Sequence, residues 1–284
     1  MSVRILSDST CDLSPELIAK YNVQIIPLHI VLGDKEYADG ASITPDEIYQ
    51  WSDANKATPK TSALGLEEAV NIFKPILDEG DEIVVFSISS QMSTTSNVMR
   101  IAATDLDASD RVFVIDSLNL STGIGLQVLE AADMAAAGKS GAEIAAYIES
   151  IRSRVRASFV VDTLTYLHRG GRCSGVAALA GAALKLHPRI AVVDGKMGPG
   201  KKYRGVMKKV ILEYAKDMEE DLKNAETKRV FITHSGCEDS VIADVKAYVE
   251  GLGHFDEILI TRAGCVVSSH CGPGTLGVLF IAGE

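Results

Sequence analysis

Hydroxyl side chains crowd three short stretches of this sequence: Ser7-Asp8-Ser9-Thr10, Ser87-Ile88-Ser89-Ser90-Gln91-Met92-Ser93-Thr94-Thr95, and Asp116-Ser117-Leu118-Asn119-Leu120-Ser121-Thr122. Burying an ionised carboxylate is costly unless several donors receive it, and neutral hydroxyls beside backbone N–H groups supply them. Ser, Thr and Asp are also the preferred N-cap residues, so each stretch taken alone reads first as a helix start. A second chemistry is open on composition: Ser93, His270 and either Asp8 or Asp116 carry the three groups of a serine-hydrolase triad. Against it, the sequence has no G-x-S-x-G elbow and no H-E-x-x-H pair, and redundant hydroxyls suit anion binding better than activation of one nucleophile. His270 on its own also reads as a structural histidine. Arg172 reads as a cap for a helix carbonyl, and Gly170-Gly171 as a tight turn or a point of close approach.

Placing these residues needs a scaffold, and the first half of the chain supplies its pattern. Short β-branched runs at 3–7, 24–31, 82–88 and 111–115 alternate with helical patterns at 14–21, 66–77, 94–104 and 121–137. That alternation predicts a parallel sheet covered by helices. In such a sheet ligands bind outside the carboxyl ends of the strands, where the three hydroxyl stretches fall. A helix over 141–155 closes this part. The remainder mixes helices at 175–186, 206–224 and 239–252 with strands at 158–161, 190–193, 229–233, 257–261 and 276–281. Asp194-Gly195-Lys196 reads as a hairpin turn, so the second sheet is expected to be mixed. At 284 residues the chain is about twice the usual domain size, and the expectation is an α/β protein of two domains, 1–157 and 158–284.

Net charge narrows the partners. With 28 Lys plus Arg against 38 Asp plus Glu, the formal charge of -10 repels a phosphate backbone, so nucleic acid is not expected. The opening residues Met1 to Asp8 contain no apolar stretch long enough for a signal peptide, and a cytoplasmic location is the expectation. The longest mostly apolar run, 176–184, falls well short of the roughly 20 residues a membrane helix needs. Five cysteines, Cys11, Cys173, Cys237, Cys265 and Cys271, form no C-x-x-C pair, which points to buried thiols rather than disulfides or a metal centre. Gly272 to Gly277 imitates a dinucleotide fingerprint, but only seven residues follow it. Gly195 to Lys201 has P-loop spacing, but Lys202 stands where a magnesium-binding hydroxyl is needed.

Six segments in order resemble one family, the DegV proteins. They are Ser7-Asp8-Ser9-Thr10-Cys11-Asp12-Leu13, Pro59-Lys60-Thr61-Ser62, Ile88-Ser89-Ser90-Gln91-Met92-Ser93-Thr94-Thr95 and Val114-Ile115-Asp116-Ser117. The last two are Thr163 to Arg172 and Ser269-His270-Cys271-Gly272-Pro273-Gly274. The resemblance implies a long-chain fatty acid gripped by its carboxylate between the lobes, its chain running into the second lobe, with no cofactor. It also implies presentation of that acid to a separate fatty acid kinase subunit, which makes the acyl phosphate. Carried over by position, Thr61 and Ser93 donate hydroxyls, His270 completes the head-group site and Arg172 sits near its opening. Ser62, Thr94, Thr95 and Gly272, in the same motifs, join the expected ligand-binding set. A third reading, a dihydroxyacetone-kinase-like substrate-binding subunit, follows from the similarity of the two folds. The chain departs from the family pattern at Ala63-Leu64, where Gln-Pro is frequent, and at Thr94, where glycine is frequent.

Overall fold

The computed structural model describes residues 2–173 and 186–284. In chain order the first half runs β1 (Val3–Asp8), α1 (Pro15–Lys20), β2 (Gln24–Ile26), β3 (His29–Leu32), β4 (Lys35–Ala38), α2 (Pro45–Asn55) and β5 (Lys60–Ser62). It continues with α3 (Leu66–Asp78), β6 (Glu82–Ser87), α4 (Thr95–Asp105), β7 (Val112–Asp116), α5 (Thr122–Ala136) and α6 (Gly141–Ile151). The second half contains β8 (Val155–Val160), α7 (Thr165–Gly170), β9 (Leu186–Val193), β10 (Lys196–Arg204), α8 (Met207–Asp217) and α9 (Glu219–Lys223). It ends with β11 (Ala225–His234), α10 (Asp239–Gly251), β12 (Glu257–Arg262), α11 (Cys265–Cys271) and β13 (Leu276–Ala282).

The fold is α/β. One sheet, ordered β2-β1-β6-β7, is wholly parallel. Its register pairs Ser7 with Phe86 and Ser87 with Asp116, so Asp8, Ser87 and Asp116 end together at one edge. This is why three loops far apart in sequence become neighbours. Successive residues of its strands feed opposite faces, as the pleat requires: Ile5, Val84 and Phe86 enter one core, Leu6, Ile83 and Val85 another. The six-stranded sheet, ordered β10-β9-β8-β13-β11-β12, is antiparallel except for the β11–β12 pair, hence mixed. A small antiparallel sheet, β4-β3-β5, completes the set.

Helix α5 lies between the two larger sheets. Every residue from Thr122 to Ala132 is buried, and the core around it takes Ile5 and Val84 from the parallel sheet and Phe159, Phe231 and Leu279 from the mixed one. Such enclosure suits its mostly apolar sequence, whose Gln127, Glu130 and Asp133 all find hydrogen-bond partners. It also explains Gly125, where an added Cβ would come within 3.0 Å of the Cys11 carbonyl oxygen.

Several expected elements differ. The strand over 24–31 is two strands, because Pro27 has no N–H for a ladder and the Leu28 amide donates to Ser9 Oγ instead. The helix over 141–155 stops at Ile151, and residue 157 lies inside β8. The helix over 206–224 is interrupted at Met218. Residues 175–185 of the expected helix 175–186, and the apolar run 176–184, lie outside the described residues; Leu186 opens β9 instead. The turn at Asp194-Gly195 is a hairpin between β9 and β10, with both residues at positive φ as a primed turn demands.

Candidate functional site

A cavity opens where the loop after β6, strand β5, helix α11 and the residues after α7 converge. Its enclosed volume is small, about 60 Å³, within about 580 Å³ of atom-free space that includes the open mouth. Leu28, Ile88, Met92, Leu120, Met197 and Val267 give it a mostly apolar wall. Among the described residues its polar side chains are Thr61, Ser62, Ser93, Arg172 and His270, with no carboxylate on the wall. A second apolar hollow of about 30 Å³ adjoins it, sharing Leu120, Val267 and Cys271 and reaching Phe159 and Leu279 of the mixed sheet.

The polar groups are fixed from several directions. Thr61 is on β5, paired opposite Ile30, and its Oγ1 lies 2.9 Å from Nε2 of His270. His270 comes from the last turn of α11, whose N-terminal amides are held by two buried carboxylates. Asp39 accepts from Cys265 N at 2.7 Å and Val266 N at 3.3 Å; Asp12 accepts from Gly264 N at 2.8 Å and from Ser121 Oγ at 2.5 Å. Ser93 stands just ahead of α4, its Oγ 2.9 Å from Thr95 Oγ1 and accepting the Thr95 amide at 3.3 Å. Arg172 is exposed at the mouth, where its Nη1 donates to the Gly170 carbonyl at 2.8 Å.

Burial, with a smaller contribution from the Arg172 charge, pushes the His270 imidazole down to about 4, so it is neutral at pH 7. Its Nδ1 is sealed from solvent without a hydrogen-bond partner among the described residues. Burial pushes the Asp12 carboxyl up to about 8 against the Ser121 and Gly264 bonds, and Asp8 up to about 6 against those from Thr10 and Ile88.

The sequence from residue 2 to residue 283 matches the family model described as "Uncharacterised protein, DegV family". The chain belongs to the DegV family. A DegV domain-containing protein of Deinococcus radiodurans is 34% identical over 279 residues, 98% of each chain. Among solved structures, a DegV family protein from Thermus thermophilus, described by its fatty acid binding, superposes with a TM-score of 0.89 at 31% identity, covering 99% of this chain and 100% of that one. A stearic-acid-binding protein from Eubacterium ventriosum gives 0.85 at 29% identity, covering 99% and 98%.

Within this DegV fold the expected residues divide. Thr61, Ser62, Ser93, Arg172 and His270 share the cavity wall. Thr94, Thr95 and Gly272 are not on it. Thr94 is exposed with φ of -89°, a conformation that needs no glycine, and Thr95 is buried as the first residue of α4. Gly272 ends α11 at φ of +76°, with the Tyr166 ring against its Cα. Ser62 is exposed and donates to Glu36 at 3.4 Å.

Most hydroxyls of the three loops tie the scaffold together. Ser9 Oγ donates to Asp39, Thr10 Oγ1 to Asp8, Ser89 Oγ to Gly195 O, and Ser121 Oγ to Asp12. Only the loop after β6 puts a hydroxyl, Ser93, on the cavity wall. The triad geometry is not assembled either. Asp8 accepts from Thr10 and Ile88, Asp116 accepts from the Ser90 and Leu118 amides, and neither bonds His270. Asp12, Asp39 and Met197 were missed by the sequence reading. Met197 follows the legible Asp194-Gly195 turn by two residues, whereas the two aspartates have no local signature.

Proposed function

We propose that this chain binds a long-chain fatty acid, with the carboxylate received by the Thr61 and Ser93 hydroxyls and the acyl chain in the apolar space beyond them. The observation that carries the reading is an oily cavity where the neutral groups Thr61, Ser93 and His270 stand beside the Arg172 cation, with no acidic side chain among the described lining residues. Burying about 14 methylenes at about 0.8 kcal/mol each contributes roughly 11 kcal/mol before association and ordering costs. A few neutral donors then suffice to orient the head group. The second hollow, toward Phe159 and Leu279, is the natural continuation for the tail. The related proteins from Thermus thermophilus and Eubacterium ventriosum, described by fatty acid and stearic acid binding, support the same ligand class.

In this reading residues 1–157 and 158–284 are two lobes that meet at the head group. Catalysis belongs to a partner: a fatty acid kinase subunit approaches the mouth, a carboxylate oxygen attacks the terminal phosphate of ATP, and ADP leaves. In this reading Arg172, exposed at the surface, contacts that partner. Among the described residues no helix is long and apolar enough to cross a membrane.

Native mass spectrometry of the delipidated chain titrated with palmitate or oleate tests the binding. One adduct per chain at low micromolar ligand supports it; a bare mass that stays unshifted sinks it. For the partner role, Arg172→Ala should keep the ligand and lower turnover by the kinase subunit, and unchanged turnover removes that role.

A further inference from the structure

Two glycines adjoin the cavity and do different work. Gly171 has φ of +67° and nothing within 4 Å of where a Cβ would stand, so it serves the left-handed end of α7. Gly170 is the last residue of α7, without a left-handed φ. Its backbone therefore has no need of glycine. The space does: an added Cβ would lie 2.3 Å from Nδ1 of His270, 3.2 Å from Cε1 and 3.4 Å from Cγ. The imidazole occupies the volume that any side chain at 170 would fill. The same residue's carbonyl accepts the Arg172 guanidinium at 2.8 Å.

We propose that Gly170 is the positioning residue of the head-group site: its bare Cα seats the His270 ring so that Nε2 meets Thr61 Oγ1, while its carbonyl anchors Arg172 beside the same ring. The role assigned to the cargo rests on the fatty acid reading above. The seat also fixes which proton points where. Nδ1 faces the Gly170 backbone with no acceptor in reach among the described residues, so the ring proton belongs on Nε2. Nε2–H then donates to Thr61 Oγ1, and the threonine's own proton is left for a carboxylate oxygen. Gly170 thus acts through His270 and Thr61, and a substitution there reorients a donor without touching the ligand.

The test uses the full chain as wild type, Gly170→Ala, Gly171→Asn, His270→Ala and the Gly170→Ala/His270→Ala pair. Alanine is a better helix former than glycine and asparagine tolerates a left-handed φ, so both single glycine variants should fold. Nitrogen-15 shifts of the His270 ring in the ligand-free protein read the seat directly. Fluorescence titration with cis-parinaric acid reads the site. Gly170→Ala should abolish the Nε2–H signature and weaken parinarate by about tenfold or more, as expected for a lost donor to a charged acceptor. Gly171→Asn should change neither, and adding Gly170→Ala to His270→Ala should cost nothing further. Unchanged His270 shifts in Gly170→Ala, or an equal further loss in the His270→Ala background, would overturn the proposal. If no variant binds parinarate but the His270 shifts still move in Gly170→Ala, the seat stands and the fatty acid reading falls.

Discussion

Ser89 Oγ donates to the Gly195 carbonyl at 2.7 Å, tying the loop that carries Ser93 to the tip of the β9–β10 hairpin. Ser89 is fully buried, and an added Cβ at Gly195 would lie 2.5 Å from this oxygen. Met197, two residues beyond the tip, is part of the cavity wall. Ser89→Ala leaves a buried carbonyl without its donor and should cost about 1–3 kcal/mol, seen as a lower urea midpoint at constant slope. Gly195→Ala should cost more, because its φ of +78° strains an alanine and the methyl displaces Ser89. An unchanged midpoint in Ser89→Ala would show that the hairpin tip is not held this way.

The head-group assignment makes a second prediction. Hydroxyl donors to a charged acceptor contribute about 1.5 kcal/mol each, so Thr61→Val combined with Ser93→Ala should weaken fatty acid binding by roughly a hundredfold. The urea midpoint should fall only slightly, since both residues are incompletely buried. Equal retention of palmitate by the double variant would remove these residues from the site.

Arg229 carries a third. Its buried guanidinium donates to Glu130 at 2.7 Å, Asp133 at 2.6 Å, Glu257 at 3.0 Å and Tyr21 Oη at 3.0 Å, joining α5, β11 and β12. Arg229→Ala strands Glu130 as a nearly enclosed carboxylate, a change worth about 3–5 kcal/mol. Lys228 pairs with Glu130 and Asp133 and softens the loss toward the lower figure. Arg229→Lys should rescue little, because one ammonium cannot reproduce a planar fork. Chemical denaturation of the two variants checks both statements.

Stability should depend on pH through two opposed groups. His270 titrates at about 4 when folded against 6.5 unfolded, so the unfolded chain takes up a proton first as pH falls. Its contribution is present above pH 6.5 and is lost as pH drops to about 4, at up to about 1.4 kcal/mol per unit. Asp12 acts in the other direction. Raised to about 8 from 3.8, it holds a proton that the unfolded chain has released, so its contribution is lost as pH rises from about 4 to about 8. Asp8, raised to about 6, has the same sign. His270→Gln should therefore remove the acid-side loss between pH 6.5 and 4, and Asp12→Asn should flatten the decline toward pH 8. Stability curves parallel to wild type in both variants would contradict these assignments.

What could be read in advance followed local periodicity. The parallel sheet was legible because its strands are short β-branched runs separated by amphipathic helices, and the Asp194-Gly195 turn was legible because few residues accept its dihedrals. Helix α2 was not expected, although Thr44 and Glu47 form a capping box with Pro45 in its first turn. The site was legible only in part. Thr61 and His270 meet across 209 positions, on a three-residue strand and a seven-residue helix too short for any period to show. Both elements hold through distant partners, β5 through its pairing with β3 and α11 through Asp39 and Asp12. Hydroxyl-rich loops misled in proportion, since a serine that ties two loops and one that faces a ligand look alike in sequence.

The enclosure of α5 has a consequence for how the molecule comes apart. A rod buried from Thr122 to Ala132 cannot be left standing when either neighbouring sheet melts, so heat should disassemble both layers together in a single calorimetric endotherm. A polypeptide terminated at residue 157 would keep that rod but lose its cover from Phe159, Phe231 and Leu279, and should precipitate rather than persist as a smaller folded body.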